Sequence, residues 1–336
     1  MNVYVLCTLE TGFESIKYIK SNIEIKGIIG LSKRIKNELI SGYSDMGKFC
    51  RLIDTEFVSI EEYTLKNDKD KKKIQELDID ILLVLGWQRL IPMWLIKQCK
   101  ITAIGSHGSP FGISAGRGRS PQNWALILGK KQFEISIFKI EEGIDSGDII
   151  NSEKFSLTIH DDIETSYLKS TMIEAKMIVE SIKNGKINKS LVPQNSSAKY
   201  FPQRKPEDGE IDWSRNSNEI YDFVRALTHP YPGAFSMYKK QKIYFWKVKP
   251  IKIMKIFDKE KPGTIIRIFD NGKMLIKTGN SCLLVEEYTH EKGLRLGEKT
   301  KLKSVDFKKQ MKKIIDRHYK KYPKNRIHDE ILSLSK

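Results

Sequence analysis

Residues 80–107 read DILLVLGWQRLIPMWLIKQCKITAIGSH, and their patterning decides the fold class. DILLVLG (80–86) and ITAIGSH (101–107) are apolar runs of strand length, with a helix-like segment at 93–100 between them. A run without polar alternation suits a strand covered on both faces. Similar runs recur at 3–7 (VYVLC), 25–31 (IKGIIGL) and 134–140 (EISIFKI), separated by helical candidates at 12–21, 70–76 and 121–128. Strands alternating with helices predict an α/β domain built on a parallel sheet. No G-x-G-x-x-G follows the first strand, so a standard dinucleotide fingerprint is absent.

A helix is expected over 162–184, opened by Asp161-Asp162 and closed by Asn184-Gly185. The polar, Pro-containing stretch 186–205 reads as a linker. Beyond it lie a short amphipathic helix at 218–227 and strand candidates at 234–238, 242–250, 263–268, 273–278 and 282–287. Gly and Asn turns between those strands predict a small antiparallel barrel or sheet. The expected organisation is a catalytic domain over 1–190, a linker over 191–210, a β-barrel-like domain over 211–300 and a basic helical tail over 301–336. Val305, Met311, Ile314 and Ile315 give that tail one apolar stripe.

Composition narrows the function classes. The 336 residues are 40% apolar, enough for a core and for about two domains. No apolar run approaches the ~18 residues of a membrane span. The N-terminus lacks the basic region of a signal peptide and reads as a first strand. Four cysteines without a C-x-x-C pair give neither a disulfide framework nor a zinc site, so reduced thiols in a cytoplasm are expected. The net charge of +17 favours anionic partners, and residues 301–336 carry twelve Lys and Arg against four Asp and Glu. A Lys-rich solvated surface accounts for much of it.

In an open α/β sheet, ligands bind beyond the carboxyl ends of the strands. Three segments place reactive or flexible residues there: 86–92 (GWQRLIP), 105–110 (GSHGSP) and 141–148 (EEGIDSGD). His107 and Asp145 would therefore converge on one rim. An imidazole can donate to a developing oxyanion or relay a proton, and a carboxylate beside it would orient it.

His107-Gly108-Ser109, then RGRSPQNWA (117–125), then GIDSGD (143–148) resemble the folate-dependent formyltransferase family. YFP (200–202), PEDGEIDWS (206–214), VRAL (224–227) and YPGAF (231–235) resemble its carboxyl-terminal part. The resemblance runs from about residue 75 to about 290, with the motifs in the family's order. It implies a Rossmann-like catalytic domain followed by a small β-barrel-like domain, with N10-formyltetrahydrofolate as formyl donor and no metal. By the same resemblance His107 and Asp145 are catalytic: His107 stabilises the oxyanion, and Asp145 tunes the imidazole and assists proton transfer. Arg89, Leu90, Ile91, Arg119, Glu141, Glu142, Gly143 and Ile144 would hold the donor. The spelling of RGRSPxNWA, PEDGxIDWS and YPGAF resembles the sugar-nucleotide N-formyltransferases, so the amine of a nucleotide-linked amino sugar is the first acceptor reading. Methionyl-tRNA formyltransferase is the second, with a tRNA acceptor. Formyl-folate hydrolysis, and a non-catalytic folate- or nucleic-acid-binding protein on this scaffold, are further readings. A homodimer is left open.

The chain departs from the family in two places. Gly105 stands where the family carries an Asn, two residues before the His, as a second oxyanion donor. The stretch between His107 and Arg117 is about two residues longer than the family's loop. Ser106, Asn123, a backbone N–H from the longer loop or water are the candidate replacements for the missing donor.

Overall fold

The computed structural model describes residues 1–32, 40, 42–189, 191–194, 198–252 and 257–336. Residues 190 and 195–197, inside the expected linker, lie outside the described residues. Strands β1 (Val3–Leu6), β2 (Gly27–Leu31), β3 (Glu56–Ile60), β4 (Ile81–Val84) and β5 (Thr102–Ser109) run parallel. Between them lie α1 (Phe13–Lys20), α2 (Met46–Leu52), α3 (Asp68–Gln75) and α4 (Met93–Gln98). After β5 come β6 (Arg117–Gly118), α5 (Pro121–Ile127), β7 (Gln132–Lys139), β8 (Ile149–Ser156) and α6 (Ile163–Lys183). One seven-stranded sheet has the order β3-β2-β1-β4-β5-β7-β8.

The apolar runs are strands because both of their faces are buried. Val3, Val5, Ile28, Ile81 and Leu83 enter one core cluster, while their neighbours Tyr4, Leu6, Ile29 and Leu82 enter another on the opposite face. Successive side chains on a strand point to opposite faces, so the alternation between clusters follows from the backbone alone.

One expectation is corrected. β7, the EISIFKI strand, is antiparallel to β5, with Ile104 opposite Lys139 and His107 opposite Ser136. An apolar run specifies burial and not direction, so the sheet is mixed. The ladder from β4 to β5 ends at Leu83 opposite Ile104, whereas pairing with β7 continues to Ser109. From Gly105 onward β5 is therefore held on one flank only among the described residues.

The later residues form β9 (Tyr200–Phe201), α7 (Ser217–Leu227) and strands β10 (Ala234–Tyr238), β11 (Gln241–Ile251), β12 (Ile265–Ile268), β13 (Met274–Lys277) and β14 (Cys282–His290). β10 to β14 make a five-stranded antiparallel sheet of order β10-β11-β14-β13-β12. Trp213 packs its ring edge-on to Phe245 at 5.4 Å and donates Nε1–H to Ser236 Oγ at 3.0 Å. The tail forms α8 (Phe307–Lys321) and α9 (Asp329–Ser333). α8 starts at Asp306, whose carboxylate accepts from Lys309 N, and buries Phe307, Met311, Ile314 and Ile315. Val305 is half-buried.

Two compact units divide the chain without following its order. The first comprises Met1–Arg117, Glu134–Phe155 and Leu168–Ser197. The second comprises Gly118–Phe133, Ser156–Tyr167 and Ala198–Lys336.

Candidate active site

Within the first unit, the ends of β4, β5 and β7 border a cavity of about 310 Å³. The loop after β4 brings Trp87, Arg89, Leu90 and Ile91 to its wall. Tyr63 props that loop. Its hydroxyl accepts from Gln88 N at 2.9 Å, its ring meets Trp87 edge-on at 4.6 Å, and the Arg89 guanidinium lies over it at 5.4 Å. Nothing in the sequence marked Tyr63. The Trp87 Nε1–H is buried without a partner among the described residues, and such a donor costs about 1–3 kcal/mol until an acceptor meets it.

The opposite wall comes from Phe138 and Ile140 of β7 and its end, and from Glu141, Glu142, Gly143 and Asp145. The spelling GIDSGD follows from the turn. Asp145 has a left-handed backbone (φ 49°), as does Gly143 (φ 119°); Asp is among the few residues that tolerate it. Gly147 passes so close to Lys139 that a Cβ there would lie 1.8 Å from that carbonyl oxygen. Backbone bonds pin the turn, with Lys139 N donating to Asp148 O at 2.9 Å and Gln194 Nε2 to Gly147 O at 2.7 Å.

This turn carries Asp145 to His107. The imidazole Nδ1 lies 3.4 Å from Asp145 Oδ2, and Nε2 donates to the carbonyl of Gly116 at 2.8 Å. That carbonyl can only accept, so a proton is fixed at Nε2 and Nδ1 faces the carboxylate. Asp145 borders the cavity directly, with His107 behind it. The convergence expected from sequence is present, but its route differs: His107 lies inside β5, and the antiparallel β7 returns its loop toward it.

Of the candidates for the missing second donor, Ser106 borders the cavity but commits its hydroxyl to Glu174. Asn123, in the second unit, donates Nδ2 to Ala226 O at 2.5 Å. The longer loop 110–116 gives His107 an acceptor, the Gly116 carbonyl. A Cβ on Gly105 would meet Ile140 Cγ1 at 3.1 Å, its Cδ1 at 3.2 Å and Phe138 Cζ at 3.3 Å. Apolar side chains stand around this glycine, where the family places an amide.

Of the expected donor-site residues, Arg89, Leu90, Ile91, Glu141, Glu142 and Gly143 line the cavity. Ile144 does not, and is exposed. Arg119 does not either, and belongs to the second unit. Burial pushes the Cys7 thiol up to about 12, so it is no nucleophile. Among the described residues no His, Cys, Asp and Glu group suits a metal, and no helix is long and apolar enough to cross a membrane.

A family model described as formyl transferase matches residues 31–182, and one described as formyl transferase, C-terminal domain, matches residues 204–305. Methionyl-tRNA formyltransferase of Thermodesulfovibrio yellowstonii is 31% identical over 206 residues, 60% of this chain and 64% of that protein. The match thus spans somewhat under two thirds of that relative. An N-formyltransferase from Helicobacter canadensis, in complex with folinic acid and dTDP-3-aminofucose, superposes with a TM-score of 0.59 at 15% identity, over 86% of this chain and 100% of that one. HypX from Aquifex aeolicus, in complex with tetrahydrofolic acid, gives 0.60 at 15% identity, over 97% of this chain and 58% of that one. At such identities these structures share the fold. Two family models in order, over an α/β sheet followed by an antiparallel one, establish that this chain belongs to the formyltransferase family.

Proposed function

We propose that this chain transfers a formyl group from N10-formyltetrahydrofolate to the amine of a nucleotide-linked amino sugar. The observation that carries the reaction is the carboxylate of Asp145 at the wall of the cavity, backed by His107 at 3.4 Å. The cavity suits a pterin. Its apolar faces come from Leu90, Ile91, Phe138 and Ile140, the unpaired Trp87 N–H offers a donor, and Arg89, Glu141 and Glu142 supply polar edges. Mostly apolar walls with a few fixed polar groups are what a small heteroaromatic ligand needs.

The donor supplies a formyl carbon bonded to N10. As the acceptor nitrogen bonds to that carbon, the carbonyl oxygen becomes an oxyanion and the nitrogen becomes more acidic. Asp145 accepts the proton leaving the nitrogen. The imidazole of His107, anchored through Nε2 on the Gly116 carbonyl, lies beside Asp145 and stabilises the developing charge. When the oxyanion collapses, the carbon–N10 bond breaks and the proton returns from Asp145 to N10. General acid–base help of this kind contributes about 10²–10⁴ in rate. Gly105 leaves this site without the family's side-chain amide, so His107 carries more of the oxyanion.

The sugar acceptor rests on the spelling of RGRSPQNWA, PEDGEIDWS and YPGAF and on the Helicobacter neighbour, which holds an amino sugar nucleotide. A tRNA acceptor is the second reading, favoured by the Thermodesulfovibrio relative and the charge of +17. The test offers 10-formyltetrahydrofolate with dTDP- and UDP-linked amino sugars and, separately, methionyl-tRNA. Release of tetrahydrofolate and the mass of the formylated product are followed. A product on the sugar amine supports the first reading. Formylation of methionyl-tRNA alone replaces it with the second, release into water makes the chain a hydrolase, and no release under any condition rejects the reaction.

A further inference from the structure

A polar cluster begins at Ser106, which borders the cavity beside Gly105, and runs away from it to α6 and α1, taking no part in the chemistry above. Ser106 Oγ donates to Glu174 Oε1, and Glu174 Oε2 accepts from Ser15 Oγ at 3.1 Å. Glu174 is on α6 and Ser15 on α1. Their neighbours Ile16, Ile104 and Ala175 are fully buried in one apolar cluster. Glu174 keeps some exposed surface, yet desolvation is the largest influence on its carboxyl and pushes it above its ordinary value, while the two hydroxyls pull it back.

The cluster sits where β5 has lost a neighbour. Through Ile104 the strand is held by β4 and β7, but among the described residues Gly105 to Ser109 pairs with β7 alone. Ser106 and His107 are the second and third residues of this one-sided stretch. Apolar packing behind Ser106 would fill space without fixing direction, whereas a hydrogen bond to a carboxylate has a preferred geometry. We propose that Glu174 is a positioning residue, which through Ser106 sets the pitch of the one-sided stretch of β5 and so the aim of His107 at Asp145. This rests on the roles given above to His107 and Asp145. The cluster is a poor stability device, because replacing a desolvated polar group by an apolar one of similar volume is often neutral or stabilising.

Glu174→Met, Glu174→Gln and Ser106→Ala in the full chain test it. Two readouts are used: imidazole nitrogen NMR of His107 in the donor-free protein, and steady-state transfer from 10-formyltetrahydrofolate to a dTDP-linked amino sugar. Glu174→Met should melt no lower than the parent, move the Nδ1 resonance, and lose about tenfold in kcat at nearly unchanged KM, since an ångström of misplacement can cost ~10². Glu174→Gln, whose amide carbonyl still accepts from Ser106, should keep the parent Nδ1 resonance and most of kcat. Ser106→Ala should match Glu174→Met, and the double variant should be no worse than either, because both remove one interaction. The proposal is overturned by parental kcat and Nδ1 resonance in Glu174→Met or Ser106→Ala. It is overturned too if kcat, melting temperature and donor affinity fall together with Gln no better than Met. Should Glu174→Met fail to fold, Ser106→Ala decides. If His107→Ala keeps turnover, the catalytic reading fails; if His107→Ala is dead while Glu174→Met is normal, only the positioning does.

Discussion

Gly105→Asn restores the family's residue and should lower activity. A Cβ at this position meets Ile140 at 3.1 and 3.2 Å and Phe138 at 3.3 Å, inside the ~3.5–4 Å at which carbon atoms pack best. The carboxamide then needs room beyond that. Ile140 lies on the cavity wall and can give way into space the donor needs. Overpacking costs about 1–3 kcal/mol, and at ~1.4 kcal/mol per decade a cost near the middle of that range lowers turnover ~30-fold and weakens the donor complex. The opposing effect is a new oxyanion donor, worth ~10²–10³ where geometry permits. The assay is single-turnover formyl transfer at saturating donor, with 5-formyltetrahydrofolate affinity measured in parallel. A rate gain beyond about tenfold in Gly105→Asn would refute the steric reasoning. Gly105→Asn/Ile140→Ala should recover part of the lost rate; if it stays as slow as the single variant, Ile140 is not the obstacle.

His107→Ala and Asp145→Ala should each lose ~10²–10⁴ in turnover at an unchanged melting temperature, and Asp145→Asn, which tolerates the left-handed backbone, should be as inactive; near-parental turnover in any of them removes that residue from the chemistry. Trp87→Phe deletes the unpaired buried N–H, so the donor-free protein should melt no lower while 5-formyltetrahydrofolate binds about fivefold more weakly; unchanged affinity on titration would place that N–H outside the donor contact. Burial lowers the pKa of His318 and of His328, so the unfolded chain binds more protons and stability rises with pH. The contribution is complete above the ordinary histidine value of ~6.5 and is lost as pH falls through and below it. Melting temperature should therefore drop on acidification, and His318→Gln/His328→Asn should flatten the profile; an equally steep profile assigns the loss to other groups.

The strands that sequence reasoning found and those it missed differ in position. β1, β2, β4, β5 and β7 stand inside the seven-stranded sheet and read as apolar runs. β3 and β8 are its two edges. In β8 half-buried residues alternate with exposed ones from Asn151 to Ser156, and β3 opens on the exposed Glu56, so a search for continuous apolar runs passes over both. The direction of β7 was invisible for a related reason: burial shapes the sequence, and strand sense does not. In the site, the meeting of His107 with Asp145 and the place of six further residues on the cavity wall were legible from motif spelling. Tyr63, Ile140 and Glu174 were not, because each acts through a contact between segments distant in the chain and leaves no local pattern. Arg119 is not among the residues that line this cavity and belongs to the second unit, which the chain enters after Arg117.

The interleaving of the two units bears on how this gene can be cut. The chain passes from one unit to the other after residues 117, 133, 155, 167 and 197, so no single break point yields two pieces that each hold a whole unit. A fragment starting at residue 198 lacks α5, whose Asn123 and Trp124 bond to the carbonyls of Ala226 and Pro202. A fragment ending near residue 197 carries α5 without those partners. On the ribosome, α5 must wait for about a hundred further residues before Ala226 emerges. Module exchange with relatives would have to graft three segments at once, which favours inheritance of this fold as an indivisible block.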